Sequence, residues 1–255
     1  MKITFLGTGT STGIPTIGVE RASCFSKDKR DNRLRSSILV EYKNKNIVID
    51  CGPDFRQQML RTGVTKVDAI LFTHEHADHT AVLDDVRPIS FKHVKIPIFA
   101  NVRVIKNLSK RFDYLFDVKN DYPGSPHVFP NIIENKKFVL EGIEILPVTY
   151  MHHKLQVYGF RIKNFAYVTD LKKISKNELD KLKNLDVLIL NALRHREHYS
   201  HINLEQALEL INELKPKKTF LTHIAPDMGL HSETEKLLPS TVRLGFDGLE
   251  IIIND

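Results

Sequence analysis

Short apolar runs recur along the chain, each closed by glycine, proline or a polar cluster, and a run bounded in this way predicts a β-strand. ITFL (3–6) is the first, and the loop GTGTSTG follows it. SILVEY (37–42) and NIVID (46–50) predict a hairpin across a lysine- and asparagine-rich turn. CGP ends that hairpin, and Asp54 to Arg61 predicts a helix. AILFT (69–73) and IPIFA (96–100) are further strands, with helices expected over 77–86 and 102–112. From Lys119 to Pro130 turn residues dominate (Pro123, Gly124, Pro126, Pro130), which predicts a loop or lid between two halves.

The second half repeats the plan. FVLEGIEILPV (138–148) predicts a hairpin turning at Glu141-Gly142, and QVYGFRI, FAYVT, VLILNAL (187–193), TFLTH and LEIII are strands. Three pairs have the spacing of a helix-starting capping box: Ser175 with Glu178, Asn203 with Gln206, and Ser232 with Glu235. The first predicts a helix over about 176–183. Behind the second, Ala207, Leu208, Ile211 and Leu214 fall on one helical face. Strands come first and helices after in both halves. The order suits an α/β (α+β) architecture, two mixed sheets face to face with helices outside, in a single domain over 1–255.

Composition narrows the class. With 255 residues, 42% hydrophobic and 27% charged, the chain is an ordinary globular one, long enough for a sizeable core. No apolar stretch approaches the roughly 20 residues of a membrane span. The start, MKITFLGTGTS, turns glycine-rich too soon for a signal peptide. Cys24 and Cys51 are the only cysteines, so no disulfide framework is indicated and the cytoplasm is expected. The formal charge of +6 suits a small anionic substrate, while scattered lysines do not single out nucleic acid. No membrane partner is expected, and a homodimer is left open.

The chemistry gathers where strand 69–73 empties into His74, His76, Asp78 and His79. In an extended chain His74 and His76 share one face, and a turn then lets Asp78 and His79 reach a second position beside it. Imidazole and carboxylate suit zinc, manganese or iron. Other strands also end on threonine before a strong donor: AYVT before Asp170, TFLT before His223 and, more loosely, PVTYM before His152. His153 competes with His152, and spacing does not choose. One zinc takes three or four protein ligands, so this set suits two divalent ions, Zn2+ or Mn2+. Asp170 could bridge them. The GTGTSTG loop could offer N–H groups to an anion, although it lacks the ending of a P-loop and the spacing of a dinucleotide fingerprint. Arg33, Arg35 and Arg87 are candidates for phosphate contact.

With His74-x-His76-x-Asp78-His79 and the later His, Asp and His in order, the chain resembles the metallo-β-lactamase superfamily along essentially its whole length. The resemblance implies an αββα sandwich with a dinuclear site. His74, His76 and His152 would hold one ion, Asp78, His79 and His223 the other, and Asp170 would bridge. Asp50, in IDCGP, would orient ligand histidines from behind. The GTGTSTGIPTIG, RLRSS, LDDVRP and SHINLEQA stretches are similar to cyclic phosphodiesterases of the phosphonate pathway, relatives of tRNA 3′-processing endonucleases. By that resemblance a metal-bridged hydroxide would attack, Asp78 would belong to the catalytic set, and His201 would protonate the leaving oxygen. His198 is the nearest rival of His201 and a candidate substrate contact. One departure stands out. Val19 and Arg21 occupy places where that branch has structural-zinc cysteines, leaving Cys24 and His231, so that zinc and the same cyclic sugar phosphate are both in doubt. No long arm for gripping tRNA is present. The expectation is a metal-dependent phosphodiesterase on a small, cyclic or open phosphodiester. The alternatives are hydrolysis of a lactone or thioester, and RNA processing. A di-iron redox protein would need a flavin-binding stretch, and none is visible.

Overall fold

Fourteen strands punctuate the described residues, which in this computed structural model are 1–90, 95–117 and 128–254. They are β1 (Lys2–Gly7), β2 (Ser37–Tyr42), β3 (Lys45–Ile49), β4 (Ala69–Leu71), β5 (Ile96–Ala100), β6 (Val128–Ile132) and β7 (Phe138–Leu140). The rest are β8 (Ile143–His152), β9 (Leu155–Ile162), β10 (Phe165–Val168), β11 (Val187–Asn191), β12 (Lys218–Thr222), β13 (Val242–Leu244) and β14 (Glu250–Ile252). The chain forms two compact units. One comprises Met1–Leu6, Ser37–Glu134 and Glu250–Asp255; the other comprises Gly7–Ser36 and Asn135–Leu249.

The first unit carries a seven-stranded sheet in the order β14-β1-β2-β3-β4-β5-β6. Its β2–β3 hairpin is antiparallel, with Ile38 opposite Ile49, and β3 through β6 then run parallel. Buried throughout, β4 reads as a continuous apolar run, whereas the edge strand β6 is largely exposed. Leu39, Val48, Ile70 and Ile98 form a core with Phe55 and Met59 of helix Phe55–Thr62 and with Val104 and Leu108 of helix Val102–Arg111. Asn101 caps the second helix by accepting the Val104 N–H at 2.9 Å.

The second unit builds its own sheet in the order β13-β12-β11-β10-β9-β8-β7. Strands β7 to β10 pair antiparallel and β10 to β13 parallel, so both sheets are mixed in the same sense. The β7–β8 hairpin turns at Glu141 and Gly142, with φ of 48° and 78°. Helix Leu204–Leu214 lays Leu204, Ala207, Ile211 and Leu214 on a core that includes Val168, Leu188, Leu190 and Leu221. The Asn203–Gln206 capping box is complete in both directions.

Three expectations are corrected, and a fourth falls mostly outside the described residues. The helix expected over 77–86 is broken into Ala77–Thr80, a 3-10 turn Leu83–Val86 and a further turn Arg87–Ser90, because Val82 leaves helical backbone at φ −126°, ψ 43°. The helix after Ser175 covers only Lys176–Asp180. Ser175 accepts the Glu178 N–H, but the Glu178 carboxylate turns to the Thr149 N–H at 2.7 Å, a tertiary bond that replaces the return bond of the box. Ser232 caps nothing: that helix is His231–Thr234, preceded by Leu230, and Glu235 accepts the Leu244 N–H instead. Of the turn-rich stretch, 119–127 lies outside the described residues. Pro130 stands inside β6, an edge strand, where a missing N–H is tolerated.

Candidate metal centre

The first unit's donors hang on the end of β4 and are fixed from behind by the end of β3. Asp50 directly follows β3, is fully buried, and has a left-handed backbone with φ 68°. Its Oδ1 accepts the Thr73 N–H at 2.8 Å, and its Oδ2 accepts the Thr73 hydroxyl at 2.9 Å and lies 2.7 Å from His79 Nδ1. Thr73 Oγ1 in turn lies 2.9 Å from His74 Nδ1. The hydroxyl gives its one proton to Asp50, so His74 must donate from Nδ1, as must His79. Both imidazoles therefore direct an Nε2 lone pair away from Asp50, the arrangement that ligating histidines need. Burial pushes the Asp50 carboxyl up from its ordinary range, and the His79 contact acts the other way.

Around that support, His74 and His79 are fully buried, Asp78 is half-buried and His76 is exposed. His74 Nε2 and His76 Nδ1 are 2.9 Å apart, as are His79 Nε2 and Asp78 Oδ2 at 3.1 Å. Atoms at such separations can share one ion at bond lengths of about 2.0–2.2 Å. The short helix Ala77–Thr80 folds the motif back on itself, with the Cys51 N–H donating to the His79 carbonyl at 2.8 Å. Only glycine fits beside it, since a Cβ on Gly52 would lie 1.9 Å from the Asp78 carbonyl oxygen.

The second unit's donors sit at the C-terminal ends of its strands. His152 closes β8, and Asp170 and His223 follow the parallel strands β10 and β12 on the same edge of that sheet. Asp170 and His223, like Asp50, have left-handed backbone, with φ of 60° and 57°. Non-glycine residues held there cost about 1–3 kcal/mol each and persist where the surroundings impose them. Asp170 Oδ2 accepts the Thr169 hydroxyl at 2.8 Å, and its Oδ1 lies 3.0 Å from His201 Nε2 and 3.2 Å from His223 Nε2. His152 is buried with Nδ1 3.0 Å from the Ser200 carbonyl, so it too donates from Nδ1 and presents Nε2. His153 is exposed, with φ 53°. Of the two neighbours, His152 is the buried one.

His201 stands among these donors, stacked on His223 with ring centroids 4.9 Å apart. Its Nε2 could hold a cation together with His152 and Asp170. Burial pulls its pKa below the ordinary imidazole value, and the Asp170 hydrogen bond opposes that. His198 is half-buried with Nδ1 3.2 Å from His201 Nδ1, and burial, then the Arg194 charge, lowers its pKa.

The three arginines separate. Arg33 is corrected to a structural residue: it is buried and donates to Thr8 Oγ1 at 2.9 Å and to the Gly245 carbonyl, with Nη2 3.0 Å from His231 Nδ1. Arg35 is half-buried and donates from Nε to the Ser11 carbonyl at 3.2 Å. Arg87 pairs with Asp84 at 3.1 Å. Where the resemblance would place a structural zinc, Arg21 pairs with Asp227 at 2.6 Å and Arg33 engages His231, so charge pairs and hydrogen bonds hold that corner. The left-handed backbone at Asp50, Asp170 and His223 and the close approach at Gly52 carry no mark in the sequence beyond the residue types themselves.

Residues 45–224 match the model of the Beta-lactamase superfamily domain. A solved diphosphatase from the PhnP family is 40% identical, covers 98% of this chain and 96% of its own, and superposes with a TM-score of 0.91. Among curated relatives, the octanoyltransferase of Porphyromonas gingivalis is 38% identical over 258 residues, covering 100% of this chain and 52% of that protein. The ribonuclease Z of Methanosarcina acetivorans is 28% identical over 151 residues, covering 56% of this chain and 44% of its own length. The chain spans about half the length of the curated relatives it matches. It belongs to the metallo-β-lactamase superfamily, in the PhnP and RNase Z branch of its hydrolases, and its two mixed sheets with helices are the α+β fold of that superfamily. No helix among the described residues is long and apolar enough to cross a membrane.

Proposed function

We propose that the chain is a metal-dependent phosphodiesterase acting on a small phosphodiester, open or cyclic, and that donors from both sets share two divalent ions, zinc or manganese. His74, His76 and His152 would hold one ion; Asp78, His79 and His223 the other; Asp170 would bridge. The observation that carries this reading is the donor chemistry. Three buried histidines each tie Nδ1 to an acceptor and present Nε2, and each set includes a carboxylate. Such a set fits divalent zinc or manganese. Similarity to a PhnP-family diphosphatase and to ribonucleases Z favours phosphoryl over other bonds.

When bound, the ions supply Lewis acidity and bring the pKa of a water toward neutrality. The protein's own groups do the rest. Asp50 orients His74 and His79. His201, held by Asp170 at Nε2 and by Ser200 and His198 at Nδ1, delivers a proton to the leaving oxygen, a step commonly worth about 10²–10⁴-fold. Arg35 and His198 contact phosphoryl oxygens, and Arg87 would have to leave Asp84 to do so.

A second reading, hydrolysis of a thioester or lactone, draws on the name of the P. gingivalis relative, about half of which lies outside the match. Turnover of bis(p-nitrophenyl) phosphate, a thioester and a lactone by one metal-loaded preparation tests both. Phosphodiester turnover well above the other two is expected. Thioester or lactone turnover without phosphodiester turnover would replace the first reading with the second.

A further inference from the structure

Next to His201 the second unit exposes an aromatic side chain that the chemistry above does not use. Tyr199 is 73% exposed, among the largest values for a big hydrophobic residue among the described residues. Its ring lies against His198, with centroids 4.4 Å apart and planes tilted by 34°, and meets the edge of His153 at 5.6 Å and 88°. His198 is itself 5.1 Å, centroid to centroid, from His201. The rings form a continuous row, His201, His198, Tyr199, His153, running from the buried donor set to solvent. His153 immediately follows the donor His152, and its left-handed backbone sends it to the exposed side while His152 turns inward.

Cations flank the same row. Arg194 and Lys172 are close enough to His198 to lower its pKa, and Arg194 is held by the carbonyls of Arg196 and Glu197 and by Asp227 at 3.7 Å. An aromatic face in water is stabilised by covering it with another flat ring, and cations nearby favour a ligand that is flat at one end and anionic at the other.

We infer that Tyr199, braced by His198 and His153, is a stacking platform for the nucleobase of a nucleoside phosphodiester whose phosphate is processed beside His201. The inference rests on the phosphodiesterase reading and deepens it by naming the organic part of the substrate. One platform stacks one base, so the recognised unit is a single nucleotide, whether it is a free dinucleotide or the end of an RNA strand. Tyr199 acts on binding and on placement of the substrate; it moves no proton.

The test separates the inference from the reading beneath it. Wild-type protein and Tyr199→Ala, Tyr199→Phe and Tyr199→Trp variants are titrated with uridine 5′-monophosphate and with methyl phosphate. KM and kcat are measured for a uridylyl dinucleotide and a short RNA oligomer. Removing a base-stacking ring commonly weakens binding by roughly 5- to 150-fold. Tyr199→Ala should therefore lose at least about fivefold in affinity for the mononucleotide and raise KM for the dinucleotide and the oligomer alike. Methyl phosphate binding should stay at the wild-type value, and Phe and Trp should restore the nucleotide affinity. Equal losses on methyl and nucleotidyl ligands, unchanged nucleotide affinity in the Ala variant, or a loss confined to the oligomer would each overturn the platform. If the wild type cleaves no phosphodiester, the phosphodiesterase reading fails. The mononucleotide titration then still decides the platform: a Tyr199-dependent affinity supports it, and its absence overturns it.

Discussion

Asp50→Asn exchanges one oxygen for an NH2 and leaves shape and volume almost unchanged, yet the account predicts a large effect on metal binding. Asparagine accepts left-handed backbone, so φ of 68° adds little strain. Its carbonyl oxygen can still take the Thr73 N–H. The amide NH2 then faces Thr73 Oγ1 and His79 Nδ1, both of which donate to the wild-type carboxylate. To avoid opposed N–H groups His79 must move its proton to Nε2, and the Thr73 hydroxyl must turn its own toward His74 Nδ1. One substitution so sets two imidazoles against metal binding. Loss of an orienting partner behind a ligand histidine typically costs 10- to 100-fold in metal affinity, about 1.4–2.7 kcal/mol. Competition against a chromophoric chelator measures the affinity, with circular dichroism confirming that the variant is folded. A folded Asp50→Asn protein that binds zinc within twofold of wild type would refute the reasoning about Asp50.

Three further outcomes follow from the geometry. Gly52→Ala must push the Asp78 carbonyl away by about 1 Å, an overpacking cost of about 1–3 kcal/mol with weakened metal binding; a thermal melt and a chelator titration unchanged from wild type would contradict the 1.9 Å approach. His201→Ala should keep its metal and lose about 10²–10⁴-fold in kcat, most with poor leaving groups; equal loss across leaving-group pKa would remove the general-acid role. His231, buried and accepting a hydrogen bond from the Arg33 guanidinium, has its pKa pushed down to about 4 by burial and then by that charge. The unfolded ring titrates near 6.5, so the folded state is not penalised above that value and loses stability as pH falls from about 6.5 toward about 4, by about 2 kcal/mol at pH 5. Urea midpoints should fall less steeply between pH 7 and pH 5 in His231→Gln, and parallel slopes would contradict this.

Strands were the most legible part of the sequence, because burial on both faces leaves a continuous apolar run such as SILVEY or VLILN with little else it could be. β13 and β6 went unread. VRL is too short to stand out, and β6 carries a proline that only an edge position permits. Helix starts were legible only where the cap is local. The Asn203–Gln206 box closes on itself, whereas Glu178 and Glu235 are drawn to N–H groups on distant strands. At the candidate centre residue types and strand-end positions were visible, and so was the His74 to His79 motif. The proton routing through Asp50 and Thr73 was not, since it depends on β3 and β4 lying side by side. That His152 is buried and His153 exposed likewise depends on backbone geometry, with His153 held at φ 53°. Arg33 looked like a phosphate contact because a sequence carries charge and not burial.

The most direct test of the central claim is elemental analysis of the purified protein, paired with bis(p-nitrophenyl) phosphate turnover before chelation, after it and after metal is restored. The account predicts about two metal equivalents per chain and turnover that chelation abolishes and zinc or manganese rescues. A folded protein that takes up no metal under any loading condition would contradict it at its first step.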